Sequence, residues 1–246
     1  MILSVWPRSD ERPQRTSSMC GRYTLKSRAE IIAETFGVQV PPTLPERFNI
    51  APSQLVLAVR EKPGSHEREL VALKWGLVPF WADDPEIGNR MANARSETAA
   101  TKPAFRSSFR ARRCLIVADG FYEWQARDGK KQPYYIRLKS GQPFGIAGLW
   151  DRWDKQAGEL IESCTILTTD ANEPMMAIHE RMPVVIPPES FDTWLNPAEH
   201  DVVKLSRLLR PFHPDEMTAY PVSTLVNNAK QDSAKCVEPL QQTDSR

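Results

Sequence analysis

The stretch Cys114-Leu115-Ile116-Val117-Ala118-Asp119-Gly120-Phe121-Tyr122-Glu123-Trp124 decides the architecture. A five-residue apolar run, too short for a helix, ends at Asp-Gly and is followed by an aromatic run, so two strands are expected in succession. Working outward, strand signals recur at 133–138, 143–149 and 163–168, and upstream at 55–60 and 69–75. Lys62–His66 and Lys155–Glu159 read as turns, and Ser140-Gly141 reads as a hairpin turn between YYIRLK and PFGIAGLW. A helix is expected over 27–36, with Ser27 as N-cap, Glu30 three residues on and Gly37 as the stop. Further helices are expected at 171–178, 188–195 and 199–209, the last with Val202, Leu205, Leu208 and Leu209 on one face, and a short strand at 184–186. Residues 41–54 read as a Pro-rich loop and 79–113 as a long irregular stretch. Many short strands with few helices predict one α+β domain built around antiparallel sheet.

Composition narrows the classes of function. The chain has 246 residues, 41% of them hydrophobic, which suffices for a core and excludes a wholly disordered chain. With 32 basic and 31 acidic residues the net charge is +1, so bulk charge names no partner and any nucleic-acid footprint must be local. No apolar run approaches the length of a membrane-spanning helix. The start, MILSVWPRSDERPQRTSS, lacks the long apolar segment and cleavage site of a secretory signal. Residues 1–18 read as a disordered extension or a mis-assigned start, 19–230 as the domain and 231–246 as a loose tail. Cys20, Cys114, Cys164 and Cys236 are far apart, which excludes the close ligand pairs of structural zinc and argues against a disulfide framework. Cys114 and Cys164 open strands and are expected to be buried thiols; Cys236 falls in the tail.

Four residues could carry chemistry. Cys20 directly follows the internal Met19. If translation starts at Met19, or the chain is cut there, Cys20 becomes an N-terminal 1,2-aminothiol. Its α-amine, of intrinsic pKa about 7.7–8.0, is then partly neutral at pH 7, and its thiol is open to activation by its surroundings. Such a group condenses with an aldehyde to an imine, and the thiol closes a five-membered thiazolidine ring; an internal Cys cannot do this because its nitrogen is an amide. Asn93 offers donor and acceptor together, and Arg95 can grip a phosphate, although both also suit a plain loop. Glu123, flanked by aromatics, is either an acid–base group of raised pKa or a solvated strand end. His179 is either a proton shuttle or a structural histidine, and HERMP lacks the second His of a zinc motif. Between Arg90 and Arg113 there are seven basic residues and one acid, Glu97, interleaved with Phe105 and Phe109 and preceded by Trp75, Phe80 and Trp81. Basic charge with aromatics suits single-stranded nucleic acid, as it also suits a solvated basic loop.

Six blocks together closely resemble the SRAP (SOS-response-associated peptidase) family. They are Met19-Cys-Gly-Arg-Tyr, Phe48-Asn-Ile-Ala-Pro, Lys74-Trp-Gly-Leu-Val-Pro-Phe-Trp, Asn93-Ala-Arg-Ser-Glu-Thr, the stretch from Cys114 to Trp124, and His179-Glu-Arg-Met-Pro, spanning roughly 19–225 in the family's order. The resemblance implies a single α+β domain with an antiparallel, β-rich, barrel-like core and a few peripheral helices. It implies binding of abasic sites in single-stranded DNA and a covalent crosslink through N-terminal Cys20, in the DNA damage response. In that scheme the Cys20 amine attacks the aldehyde of the opened sugar. Glu123 helps open the sugar and moves protons, His179 assists imine chemistry and reversal, and Asn93 orients the cysteine. Arg22, Arg95 and Arg181 become phosphate contacts, and Trp75 and Trp81 become stacking or wedge residues. The family is also credited with self-cleavage that exposes the cysteine. No cofactor, metal or membrane is implied, and a cytoplasmic monomer, nucleoid-associated at damaged DNA, is expected. Two rivals stay open: a thiol autopeptidase or hydrolase using Cys20 with no DNA role, and a non-catalytic nucleic-acid-binding module.

Overall fold

The structure, a computed structural model, describes residues 20–127, 129–156 and 158–240. The expectations for residues 1–18 and for the last six of the tail lie outside the described residues. In chain order the strands are β1 (Tyr23–Leu25), β2 (Arg47–Ile50), β3 (Leu55–Glu61), β4 (Arg68–Trp75), β5 (Asn93–Arg95), β6 (Arg113–Ala118) and β7 (Gly120–Arg127). They continue with β8 (Lys130–Leu138), β9 (Phe144–Trp153), β10 (Ile161–Asp170), β11 (Arg181–Pro183), β12 (Val185–Ile186) and β13 (Met217–Pro221). The helices are short: α1 (Ala29–Phe36), α2 (Ser96–Ala99), α3 (Arg106–Ala111), α4 (Glu173–Met176), α5 (Phe191–Leu195) and α6 (Val202–Ser206).

Five strands close on themselves. β4 pairs with β3, β3 with β6, β6 with β9 and β9 with β10, all antiparallel, and β10 returns to β4 in parallel. Closure removes the open edges that a sheet of this size would otherwise expose. β6, the run from which the sequence was read, is buried along its whole length. The second sheet runs β13-β8-β7-β1-β2, antiparallel throughout. The β-rich, barrel-like α+β expectation therefore holds, with parallel pairings confined to β10 against β4 and β5.

Several local expectations need correction. Ser140-Gly141 turns the chain, but β8 and β9 belong to different sheets, so it is a crossover and not a hairpin. Ser27 does not cap α1: its hydroxyl donates to Asp119, the N-cap position is Arg28, and only the Gly37 stop, at φ 63°, is as read. The stretch 79–113 contains β5, α2, α3 and a 3₁₀ turn over Pro85–Arg90. On α6, Leu205 is buried while Val202 is exposed. The expected loose tail is tied down as far as it is described. Asp232 accepts from the backbone N–H groups of Phe48 and Asn49 in β2, Cys236 is buried, and Val222 bridges to Pro239.

Candidate active site and nucleic-acid interface

The β1–β7 ladder builds the site. Tyr23 and Thr24 pair with Phe121 and Gly120, and Tyr122 N–H donates to Arg22 O. A side chain at Gly120 would place Cβ 2.4 Å from the Tyr135 ring and 2.7 Å from Ile136 O, so only glycine lets the strands approach this closely. The same register runs on to set Gly21 opposite Glu123, and the neighbouring Cys20 N–H donates to the Glu123 side chain at Oε1, 2.8 Å away. From the barrel, β5 lies along β10 and presents Asn93, whose Nδ2 donates to Cys20 O at 3.2 Å. His179 follows α4, and Gln125 Nε2 ties that loop to β7 by donating to Ala177 O at 2.8 Å. The four expected reactive residues thus converge from both sheets. His179 and Glu123 line one cavity of about 380 Å³, together with Arg22, Trp124, Lys131 and Asn227.

Electrostatics distinguish the members. Burial pushes the Glu123 carboxyl up to about 8, against the opposing pull of hydrogen bonds from the Cys20 and Trp124 backbone. Burial, then the nearby Glu123, pushes the Cys20 thiol up as well. The surroundings therefore hold the thiol protonated, contrary to the expectation that they activate it. His179 Nδ1 lies 3.0 Å from the Arg181 N–H and 3.2 Å from Arg181 O, so the Arg181 backbone holds this ring nitrogen, as acceptor in one tautomer and as donor in the other. Burial chiefly lowers the ring's pKa, leaving it neutral.

Of the expected DNA contacts, some are available and others are not. Arg22 lines the cavity, anchored through Nη1 to Asn49 Oδ1 and Val226 O and through Nη2 to Asn227 O. Arg95 is exposed at the end of β5, two residues beyond Asn93. Trp75 is 1% exposed, donates Nε1 to Ala92 O and packs edge-on against Tyr23, so it is core and has no face for a base. Arg181 is buried and bound by carboxylates, which removes it from the phosphate contacts. Within the basic run, Arg113 is buried among backbone carbonyls of the α3 and α5 ends and Arg112 pairs with Asp151.

Trp81 lies elsewhere, on a second cavity of about 840 Å³ with Phe80, Arg106, Phe109, Arg110 and His200. Phe80 and Trp81 are 50% and 42% exposed, yet their turn is rigid. Phe80 N–H donates to Asp151, Ala82 N–H to Pro79 O, Lys155 Nζ to Trp81 O and Trp153 Nε1 to Ala82 O. Arg106 and Arg110 are exposed and form no ion pair among the described residues. This cavity is larger, but the reactive groups lie in the smaller one.

Three site residues were missed in the sequence. Trp124 neighbours Glu123 but, by strand alternation, points the other way; its Nε1 donates to Asn227 Oδ1 at 2.7 Å. The adjacency was the available signal for Trp124. Nothing in the sequence marked Lys131 or Asn227, which tertiary packing brings in from β8 and from the 3₁₀ turn Thr224–Asn227.

An α+β barrel joined to a second sheet, with a cysteine nitrogen held by a buried carboxylate, defines the class of protein. The chain belongs to the SOS response associated peptidase (SRAP) family, whose family model matches residues 19–229. It is 45% identical over 226 residues to abasic site processing protein YoqW of Bacillus subtilis (strain 168), covering 89% of this chain and 99% of the relative. It is 34% identical over 207 residues to abasic site processing protein HMCES of Gallus gallus, covering 74% of this chain and 61% of that one. A crystal structure of a protein from Bacteroides thetaiotaomicron matches with TM-score 0.80 at 29% identity, over 90% of this chain and all of that one. Among the described residues no helix is long and apolar enough to cross a membrane, and no group of three or more His, Cys, Asp or Glu is placed to hold a metal ion.

Proposed function

We propose that this chain processes abasic sites in single-stranded DNA, capturing the sugar aldehyde as a thiazolidine on Cys20 once that residue is the first of the chain. The observation that carries this reading is the Cys20 nitrogen, 2.8 Å from a buried carboxyl in a cavity that also holds a neutral histidine. Two relatives, both named abasic site processing proteins, support the substrate class.

The chemistry follows from the groups present. Burial moves Glu123 up from the ordinary carboxylate range toward that of an α-amine. A free Cys20 amine and this carboxyl then exchange a proton as a coupled pair, the arrangement acid–base catalysis needs. Glu123 as base frees the amine, whose nitrogen forms the bond to C1′ of the opened sugar. Protonation of the carbinolamine oxygen, by Glu123 or by His179, expels water and leaves the imine. The Cys20 sulfur then adds to the imine carbon while its proton passes to nitrogen, closing the ring; one water is lost overall. A thiol kept protonated until that step does not compete with the amine. Asn93, donating to Cys20 O, holds the residue in place. Exposure of the amine needs either a start at Met19 with removal of that Met, or cleavage before Cys20. A thiolate hydrolase is disfavoured, because burial moves the Cys20 thiol away from ionisation.

For binding, Arg22 and Arg95 serve phosphates near the lesion. The Phe80–Trp81 turn with Arg106 and Arg110 takes an unpaired flanking base and its phosphates, an arrangement suited to stacking plus charge. Cys20→Ser tests the reading: the variant should retain salt-sensitive binding to abasic single strands but give no heat-stable adduct. A heat-stable adduct in Cys20→Ser would count against the thiazolidine.

A further inference from the structure

Both terminal nitrogens of the Arg181 guanidinium are engaged inside the protein, while its buried Nε has no hydrogen-bond partner among the described residues. Nη1 donates to Glu97 Oε1 and to Asp170 Oδ1, both at 2.6 Å. Nη2 donates to Glu97 Oε2 at 2.9 Å and to Thr168 O at 2.6 Å. The fork on Glu97 is bidentate, the geometry that fixes orientation as well as distance. Burial is the largest single influence and works against the Glu97 charge, but the hydrogen bond from Arg181, a backbone hydrogen bond and the Arg181 and Arg95 charges together outweigh it and hold the carboxyl below its ordinary range.

The two carboxylates do different things. Asp170 is the register partner of Arg181 in the β10–β11 ladder, so that contact stays within one pair of strands. Its side chain is also 79% exposed, where an ion pair contributes little. Glu97 comes from a third element. It stands in the first turn of α2, directly after β5, the strand that carries Asn93. Arg181 opens β11, and its own backbone N–H and C=O hold His179 Nδ1. The Glu97–Arg181 pair therefore joins the strand bearing Asn93 to the loop bearing His179.

We propose that Glu97 is a positioning residue: through Arg181 it sets the orientation and tautomer of His179 relative to Asn93 and Cys20. The charged and titratable groups facing His179 are Glu180 beside it, Arg181 on β11, Lys131 on β8, and Glu123 and Arg22 across the cavity. Of these only Arg181 is hydrogen-bonded to Glu97, so an effect of a change at Glu97 on the ring must travel through Arg181.

The test is Glu97→Gln in the full protein, with Asp170→Asn as control. The readouts are ¹⁵N NMR of the His179 ring across pH and the single-turnover rate of adduct formation with an abasic oligonucleotide. Wild type should show one tautomer. Glu97→Gln should show mixed tautomers, a titration displaced from that of wild type, and a rate about tenfold lower, from small misplacement of a catalytic group. Asp170→Asn should stay within about twofold, as expected for an exposed pair. If Glu97→Gln does not fold, Glu97→Asp, which keeps the charge on a shorter stem, should shift the ring the same way by less. An unchanged ring and rate would overturn the proposal. So would tighter DNA binding with a steeper salt dependence, which would mean that Arg181, once freed, takes a phosphate. Only the rate readout rests on the abasic-site reading. A wild type that forms no adduct while the His179 signals still move would sink that reading and leave this one standing.

Discussion

The two cavities use similar side chains in opposite ways. In the smaller, Glu123 and His179 are buried, and burial shifts both toward their neutral forms. In the larger, Phe80 and Trp81 are kept exposed on a turn held by four hydrogen bonds, and Arg106 and Arg110 are exposed on α3. A reacting carboxyl needs removal from water before its pKa can approach that of an amine. A binding surface needs the reverse: apolar faces and unpaired charges left open, at a cost the monomer alone does not recover. On this contrast the proposed function places its chemistry in the first cavity and strand binding at the second.

The sharpest way to break this division is Glu123→Gln. Adduct formation should slow by on the order of 10³-fold, within the usual range for a lost general acid–base. The same variant tests the burial argument without DNA. Glu123 is raised in the folded state from an ordinary value of 4.5 to about 8, so the native state holds its proton more tightly. Its contribution to stability is complete below about pH 4.5 and is lost as pH rises toward 8. Denaturation of wild type should therefore show a decline of a few kcal/mol over that window, and Glu123→Gln should flatten it. An equally steep decline in the variant would place the titrating group elsewhere.

The two tryptophans offer the next comparison. Trp75→Ala should cost about 3–5 kcal/mol of stability, as for a large buried aromatic, with the surviving folded protein binding DNA normally. Trp81→Ala should leave stability nearly unchanged and weaken non-covalent binding of an abasic single strand by about 1–3 kcal/mol, one lost stacking contact. Titration of each variant with a labelled oligonucleotide separates them; equal binding losses would erase the distinction between core and surface. The smallest effect is expected at Arg106→Ala and Arg110→Ala. Each should reduce the slope of log affinity against log salt by about 0.7 for a single strand. Slopes identical to wild type would remove the larger cavity from the DNA path.

That pair of tryptophans also marks how far the sequence could be read. Trp75 and Trp81 lie in one short block and look alike as letters. Which is core depends on the partners of β4 and of the following turn, and those come from Ala92, Asp151 and Lys155. Arg181 was misread for the same reason, since Glu97 and Asp170 reach it from other elements. Strand runs such as Leu115–Ala118 were legible because burial leaves a continuous apolar signature. The Ser140-Gly141 turn was legible as a turn but not as a crossover between sheets, because a local signal carries no record of which strand pairs with which. Asp232 and Cys236 sit in a polar stretch, and their anchoring on β2 and beside Tyr122 is a long-range contact. Cys20, Asn93, Glu123 and His179 were recoverable as a set through the six blocks they belong to, although spacing alone left each with a bland alternative.

The central claim is that Cys20, as a free N-terminal residue, condenses with an abasic aldehyde. Intact mass measurement of the purified protein, before and after mixing with an abasic single-stranded oligonucleotide, addresses it directly. The account predicts a chain beginning at Cys20 that gains the mass of the oligonucleotide less one water. A chain beginning at Cys20 that gains nothing would contradict it.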